Sequence, residues 1–302
     1  MRTLYYKISS KYLFIMDTTK TWLITGAARG FGLEITKAAL AKGDKVIATV
    51  RKGKEQLAAQ LESTNLFVVE MDVTNEAGVN TAVKEALAHF GKIDVLVNNA
   101  GFGLLSAVEE GSDSEIRHMY ETNVFGLLKV LRAVLPHFRA QHSGHVINIS
   151  SVGGLTGSAG WGLYSSTKFA VEGITEALAK ELAPLGIYAT AVEPGYFRTN
   201  FLDGSSLTTA KQVIEDYSET SGKMRSFAGE VSYKQPGDPA KLAKAIVTIA
   251  DAEQPPVHLP LGNDTLKAYR TKTASFELDI QDWLDVVTST DHDDVHQPAV
   301  NN

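Results

Sequence analysis

The chain has 302 residues, 44% hydrophobic and 21% charged, which suits one large globular domain or two small ones. A net charge of −6 without any long basic run argues against a nucleic-acid partner. The absence of cysteine excludes disulfides, thiolate catalysis and cysteine-ligated zinc or iron–sulfur sites.

In chain order, Arg2, Lys7 and Lys11 precede the short apolar run Tyr12–Met16. That run is too short for a signal-peptide core, and far below the ~20 apolar residues of a membrane span. Residues 1–20 therefore read as a dispensable arm, with a cytoplasmic setting expected. From Thr21 onward, short apolar runs alternate with helical patterns, the signature of a parallel sheet covered by helices on both faces. Strands are expected at Thr21–Thr25, Lys45–Val50, Leu66–Glu70, Asp94–Val97, His145–Ile149, Tyr188–Val192 and Val257–Leu261. Helices are expected at Phe31–Lys42, Glu76–Phe90, from near Ser112, and at Tyr164–Ala183. The alternation breaks over residues 198–236, a polar, helix-capable insertion read as a substrate lid. Residues 290–302 are polar and aspartate-rich, and read as a disordered tail. With neither an internal repeat nor a flexible linker, residues 21–289 form one α/β domain, a Rossmann-type doubly wound parallel sheet.

The run Thr25-Gly26-Ala27-Ala28-Arg29-Gly30-Phe31-Gly32 follows the first strand and opens a helix. Glycines there let the backbone approach a pyrophosphate, and the helix start offers unpaired N–H groups. A dinucleotide-binding unit that takes NAD usually ends its second strand in a carboxylate. Here that strand ends Thr49-Val50-Arg51-Lys52, and Asp44, at its other end, reads as a solvated turn residue. Arg29 and Arg51 can converge on a 2′-phosphate, which favours NADP(H).

Tyr164 and Lys168 stand four residues apart, on one face of a helix, with Ser151 upstream. An ammonium close to a phenol favours the phenolate and can bring its proton into use near neutrality. Metal binding is not expected: His292, Asp293, Asp294 and His296 lie in the polar tail without further converging ligands, and His142 and His145 read as ordinary turn residues.

Together these residues resemble the classical short-chain dehydrogenase/reductase family. The matching motifs are the Thr25–Gly32 turn, Met71-Asp72-Val73, Asn98-Asn99-Ala100-Gly101, Asn123, Ser151, the Tyr164/Lys168 pair, and Pro194-Gly195 with Thr199. Local similarity at Gly103-Leu104-Leu105 and Ser151–Leu155 points to the 17-beta-hydroxysteroid and retinol dehydrogenase branch. The resemblance implies cofactor contacts at Gly26, Arg29, Gly30, Phe31, Gly32, Arg51, Asp72, Val73, Asn98, Ala100, Gly101, Tyr164, Lys168, Pro194, Gly195 and Thr199. It implies Tyr164 as general acid–base, Lys168 lowering its pKa and binding the nicotinamide ribose, Ser151 polarising the carbonyl, and Asn123 holding a relay water. The expected enzyme interconverts a hydrophobic ketone or aldehyde and its alcohol, as a homodimer or homotetramer. A non-catalytic dinucleotide sensor would typically lack the tyrosine or lysine. A sugar-nucleotide epimerase would carry a differently spaced glycine turn and a longer substrate domain.

Overall fold

A computed structural model describes residues 19–204, 206–292 and 295. The readings of the arm at residues 1–18 and of the tail at Asp293, Asp294 and His296 lie outside the described residues.

The strands are β1 (Thr21–Ile24), β2 (Lys45–Val50), β3 (Leu66–Glu70), β4 (Val95–Asn98), β5 (Gly103–Leu105), β6 (Gly144–Ile149), β7 (Ile187–Pro194), β8 (Leu207–Thr209) and β9 (His258–Leu261). The helices are α1 (Gly30–Lys42), α2 (Lys54–Leu61), α3 (Glu76–Phe90), α4 (Asp113–Tyr120), α5 (Leu127–Gln141), α6 (Val152–Leu155), α7 (Gly162–Leu182), α8 (Lys223–Val231), α9 (Pro239–Ala250), α10 (Asn263–Asp282) and α11 (Leu284–Thr288). Seven strands form one parallel sheet in the order β3-β2-β1-β4-β6-β7-β9, the doubly wound arrangement expected.

Successive strand residues point to opposite faces, so each strand must be apolar on both sides to be buried on both. Leu23, Ile47, Leu96 and Val146 pack with α3, α5 and α7 on one face. Trp22, Ile24, Val46, Ala48, Val97 and Ile147 pack with α1 and α9 on the other. The strand order reverses between β1 and β4, and the crevice beyond their carboxyl ends is where such sheets bind ligands.

Two readings need correction. Asp44 is buried rather than solvated, because its turn tucks under the start of β1. There it accepts hydrogen bonds from Lys20 N at 3.0 Å and Trp22 Nε1 at 2.9 Å, at the end of β2 away from the crevice. His145 is a buried residue of β6 rather than a turn residue, with Nε2 2.8 Å from Thr190 Oγ1. Since Thr190 donates its own proton to Pro256 O, His145 must be the donor to Thr190.

Burial, aided by the Lys20 charge, brings the His145 imidazole down from 6.5 to about 3. The unfolded chain therefore takes up a proton below pH ~6.5 that the folded chain refuses until far lower. This contribution to stability is intact above pH ~6.5 and is lost as pH falls, by about 2 kcal/mol between pH 7 and 5. Urea unfolding at those two pH values should show a shallower pH dependence for His145→Gln than for the parent protein. An identical dependence would contradict the burial argument.

Candidate active site

The turn between β1 and α1 is shaped by glycines. Gly26 and Gly30 have φ of +66° and +55°, which a side chain would strain. Gly32 has no room for one: a methyl group there would overlap the Gly26 carbonyl and come within 2.6 Å of Asn99 Nδ2. Thr25 Oγ1 accepts from the N–H groups of Asn99 and Ala100, each at 2.9 Å, fastening the turn to the end of β4. Asn99 Nδ2 returns bonds to Thr25 O at 2.8 Å and Gly26 O at 3.2 Å. At the start of α1, Arg29 provides no side-chain cap and the first turn holds no acid, leaving its N–H groups suited to an anion.

Of the two asparagines, Asn99 lines the crevice and Asn98 does not. Asn98 ends β4 facing into the sheet, where its Nδ2 donates to Asn148 Oδ1 at 2.9 Å. Strand alternation is the signal that separates them. Val50, Arg51, Lys52, Asp72 and Val73 line the crevice beyond β2 and β3. Asp72 accepts from Thr74 N at 2.9 Å and Thr74 Oγ1 at 2.8 Å. Partial burial raises its pKa, but these two bonds and the charges of Arg51 and His118 outweigh that and hold it below the ordinary carboxylate value.

At the other end of the crevice Ser151, Tyr164 and Lys168 come together. Ser151 caps α6 by accepting from Gly153 N at 3.0 Å, and its hydroxyl lies near enough to the Tyr164 phenol to favour its ionised form. Lys168 is buried, with Nζ donating to Ile149 O at 2.8 Å and lying 5.7 Å from the Tyr164 ring centre. Burial brings this ammonium down to about 8, against the opposing pull of Glu172. In the same surroundings burial pushes the Tyr164 phenol well above its usual value, and only the nearby Ser151 hydroxyl acts against it. Desolvation therefore dominates at the Tyr164 phenol.

Asn123 lies in a π-helical stretch, Glu121–Gly126, joining α4 to α5. Its side chain does not line the crevice. Oδ1 accepts from Phe102 N at 3.0 Å, while Nδ2 donates to Phe102 O at 2.9 Å and to Thr167 Oγ1 at 3.1 Å. Both amide protons are used within the protein, so the side chain fastens this stretch to α7 through Thr167.

Pro194, Gly195 and Thr199 line the wall beyond β7. Around Tyr164 the lining turns apolar, with Phe102, Trp161, Phe201, Leu202 and Leu207 packed together. Within residues 198–236, β8 pairs in parallel with β5, and α8 follows. Glu110, fully buried, accepts from Ala107 N at 2.7 Å, Ile214 N at 3.0 Å and Arg225 Nη1 at 2.7 Å. The whole crevice encloses about 1000 Å³. Glycine turn, open α1 donors, cations beyond β2 and a buried phenol at the far end together fit an elongated dinucleotide with a small apolar molecule beside it.

The family described as short chain dehydrogenase matches residues 20–210. The 3-ketodihydrosphingosine reductase of Bacteroides thetaiotaomicron is 38% identical over 241 residues, 80% of this chain and 87% of that protein. A short-chain dehydrogenase structure from Streptomyces avermitilis is 39% identical, with a TM-score of 0.85, covering 91% of this chain and 100% of that one. The structure of ElxO with NADP bound is 29% identical, with a TM-score of 0.69, covering 82% of this chain and 99% of that one. Motif order, sheet topology and the extent of these likenesses agree: the chain belongs to the short-chain dehydrogenase family of oxidoreductases.

Proposed function

We propose that this protein is an NADP(H)-dependent oxidoreductase that interconverts a hydrophobic ketone or aldehyde and the corresponding alcohol. The observation that carries this reading is one crevice holding Ser151, Tyr164 and Lys168 at its apolar end and Arg29, Arg51 and Lys52 at the other. NADP(H), when bound, supplies or accepts the hydride. Gly26, Gly30 and the start of α1 would hold the pyrophosphate, Arg29 and Arg51 the 2′-phosphate, and Pro194, Gly195 and Thr199 the nicotinamide end. Tyr164 gives its proton to the substrate oxygen in reduction and takes one back in oxidation. Ser151 donates a second hydrogen bond to that oxygen as charge develops. Residues 198–236 act as the lid, with Phe201, Leu202 and Leu207 excluding water from the reacting carbon. A similar protein named as a ketone reductase and similar structures holding NADP or NADH support nicotinamide-dependent carbonyl chemistry, and the preference for NADP(H) rests on Arg29 and Arg51. No described helix is long and apolar enough to cross a membrane.

The test is a panel of carbonyl compounds with NADPH and NADH, read by absorbance of the reduced nicotinamide. Bulky apolar ketones should outperform small charged ones, and an absence of turnover with every carbonyl would favour a dinucleotide sensor. NADPH should bind at least about tenfold more tightly than NADH, the size of one charge-assisted hydrogen bond to the phosphate. Val50→Asp combined with Arg51→Ser should move the preference toward NADH. Equal affinities in the parent protein, measured by titration, would defeat the charge argument.

A further inference from the structure

Three elements behind the active site bring together side chains that the proposed chemistry does not use. Glu172 stands one helical turn beyond Lys168 on α7, Glu193 precedes Pro194 on β7, and His258 opens β9 at the sheet edge. His258 Nδ1 lies 3.0 Å from Glu193 Oε1 and 3.4 Å from Glu172 Oε2. One ligand atom from each residue can be chosen so that all lie within 4.8 Å of one another.

Glu172 is 5% exposed and Glu193 0%. Neither oxygen of Glu172 has a hydrogen-bond partner, nor does Oε2 of Glu193. The Ser150 hydroxyl approaches Glu172 and steadies its charge without the geometry of a full hydrogen bond. Burial raises both carboxyls above their usual range, and Glu193 is raised further by the charge of Glu172. A buried carboxylate is costly unless positive charge and donors meet it. The single Nδ1 proton of His258 cannot serve both carboxylates, and Lys168 favours the Glu172 charge at a distance without hydrogen-bonding either of its oxygens. A dication meets the demand that one N–H leaves open.

The donor spacing agrees. Ligand atoms 2.0–2.1 Å from a tetrahedral ion lie about 3.3 Å apart, between the two separations found here. Nε2 of His258 lies 3.6 Å from Glu176 Oε1, the outer carboxylate that commonly orients a metal-binding imidazole. The histidine side chain is 44% exposed, which leaves an open path for the ion and an outward position for water.

We propose that Glu172, Glu193 and His258 form a binding site for a divalent first-row cation, Zn²⁺ in preference to Mg²⁺, that ties α7, β7 and β9 together behind Lys168 and Pro194. One imidazole with two carboxylates suits Zn²⁺ better than the all-oxygen preference of Mg²⁺.

The experiment uses the full-length protein, stripped with a chelator and dialysed against Zn²⁺ or Mg²⁺, with metal content and melting temperature as readouts. One Zn²⁺ per chain at micromolar free metal, little Mg²⁺, and a higher melting temperature with Zn²⁺ are expected. Glu193→Gln and His258→Ala should each weaken Zn²⁺ binding by about tenfold or more. Should Glu193→Gln fail to fold, His258→Ala on the exposed edge strand still decides the matter. Failure to retain stoichiometric Zn²⁺ would overturn the proposal, as would retention unchanged in His258→Ala.

Discussion

Tyr164→Phe is expected to lower turnover by ~10²–10⁴-fold, the usual worth of a positioned acid–base group, while NADPH affinity stays nearly unchanged. The substitution removes a hydroxyl and keeps the ring, whose contacts with Trp161 and Phe201, at 5.6 and 5.7 Å between centres, hold it in place. Because burial raises the phenol above its ordinary value, the proposed reduction would begin with its donor already loaded. Alcohol oxidation must first move that proton, so its rate should climb with rising pH more steeply than the rate of reduction. Steady-state turnover and a cofactor titration on the same preparation separate chemistry from binding. A phenylalanine variant that keeps most of its activity would remove Tyr164 from the mechanism.

Gly32→Ala should weaken NADPH binding by at least an order of magnitude and also lower stability. The added methyl meets the Gly26 carbonyl, Asn99 Nδ2 at 2.6 Å and Ala27 Cα at 3.0 Å. Two of these are backbone atoms, and Asn99 is fastened to the turn by its own bonds, so none can yield without moving the pyrophosphate cradle. Overpacking of this kind costs ~1–3 kcal/mol, roughly 2–4 °C in melting temperature per kcal/mol at this size. Gly173→Ala is the contrast, since nothing stands within 4 Å of its added methyl and α7 is regular there. Helix propensity predicts a gain of ~0.5–1 kcal/mol at that site. If both variants bind NADPH as the parent does, the close approach at Gly32 has no functional weight.

The parallel sheet was legible because the central strands are buried on both faces and so appear as near-continuous apolar runs. Tyr164 and Lys168 were legible because helix periodicity places them together, and Ser151 because the order of motifs resembles the family. The β5–β8 pair was not, since three residues at Gly103 find their partners about a hundred positions later and local pattern is silent about that. Asn98 and Asn99 are adjacent and chemically identical, and only the pleat at the end of β4 decides which one meets the glycine turn. The raised pKa of Tyr164 reflects burial, and Phe201, which packs against its ring, comes from a distant segment, whereas sequence spacing shows only the lysine on its own helix. Glu172, Glu193 and His258 meet through the order of β6, β7 and β9, which no spacing motif records.

The bonds made by Glu110 bear on how this protein can be recombined with its relatives. Residues 198–236 look like a portable cassette, yet Ile214 and Arg225 inside it satisfy a buried carboxylate that belongs to the loop after β5. A chimaera that exchanges the insertion alone would strand that charge, and removing one partner from a buried pair typically costs ~3–5 kcal/mol. The transferable unit is therefore split, with residues 103–110 travelling together with 198–236.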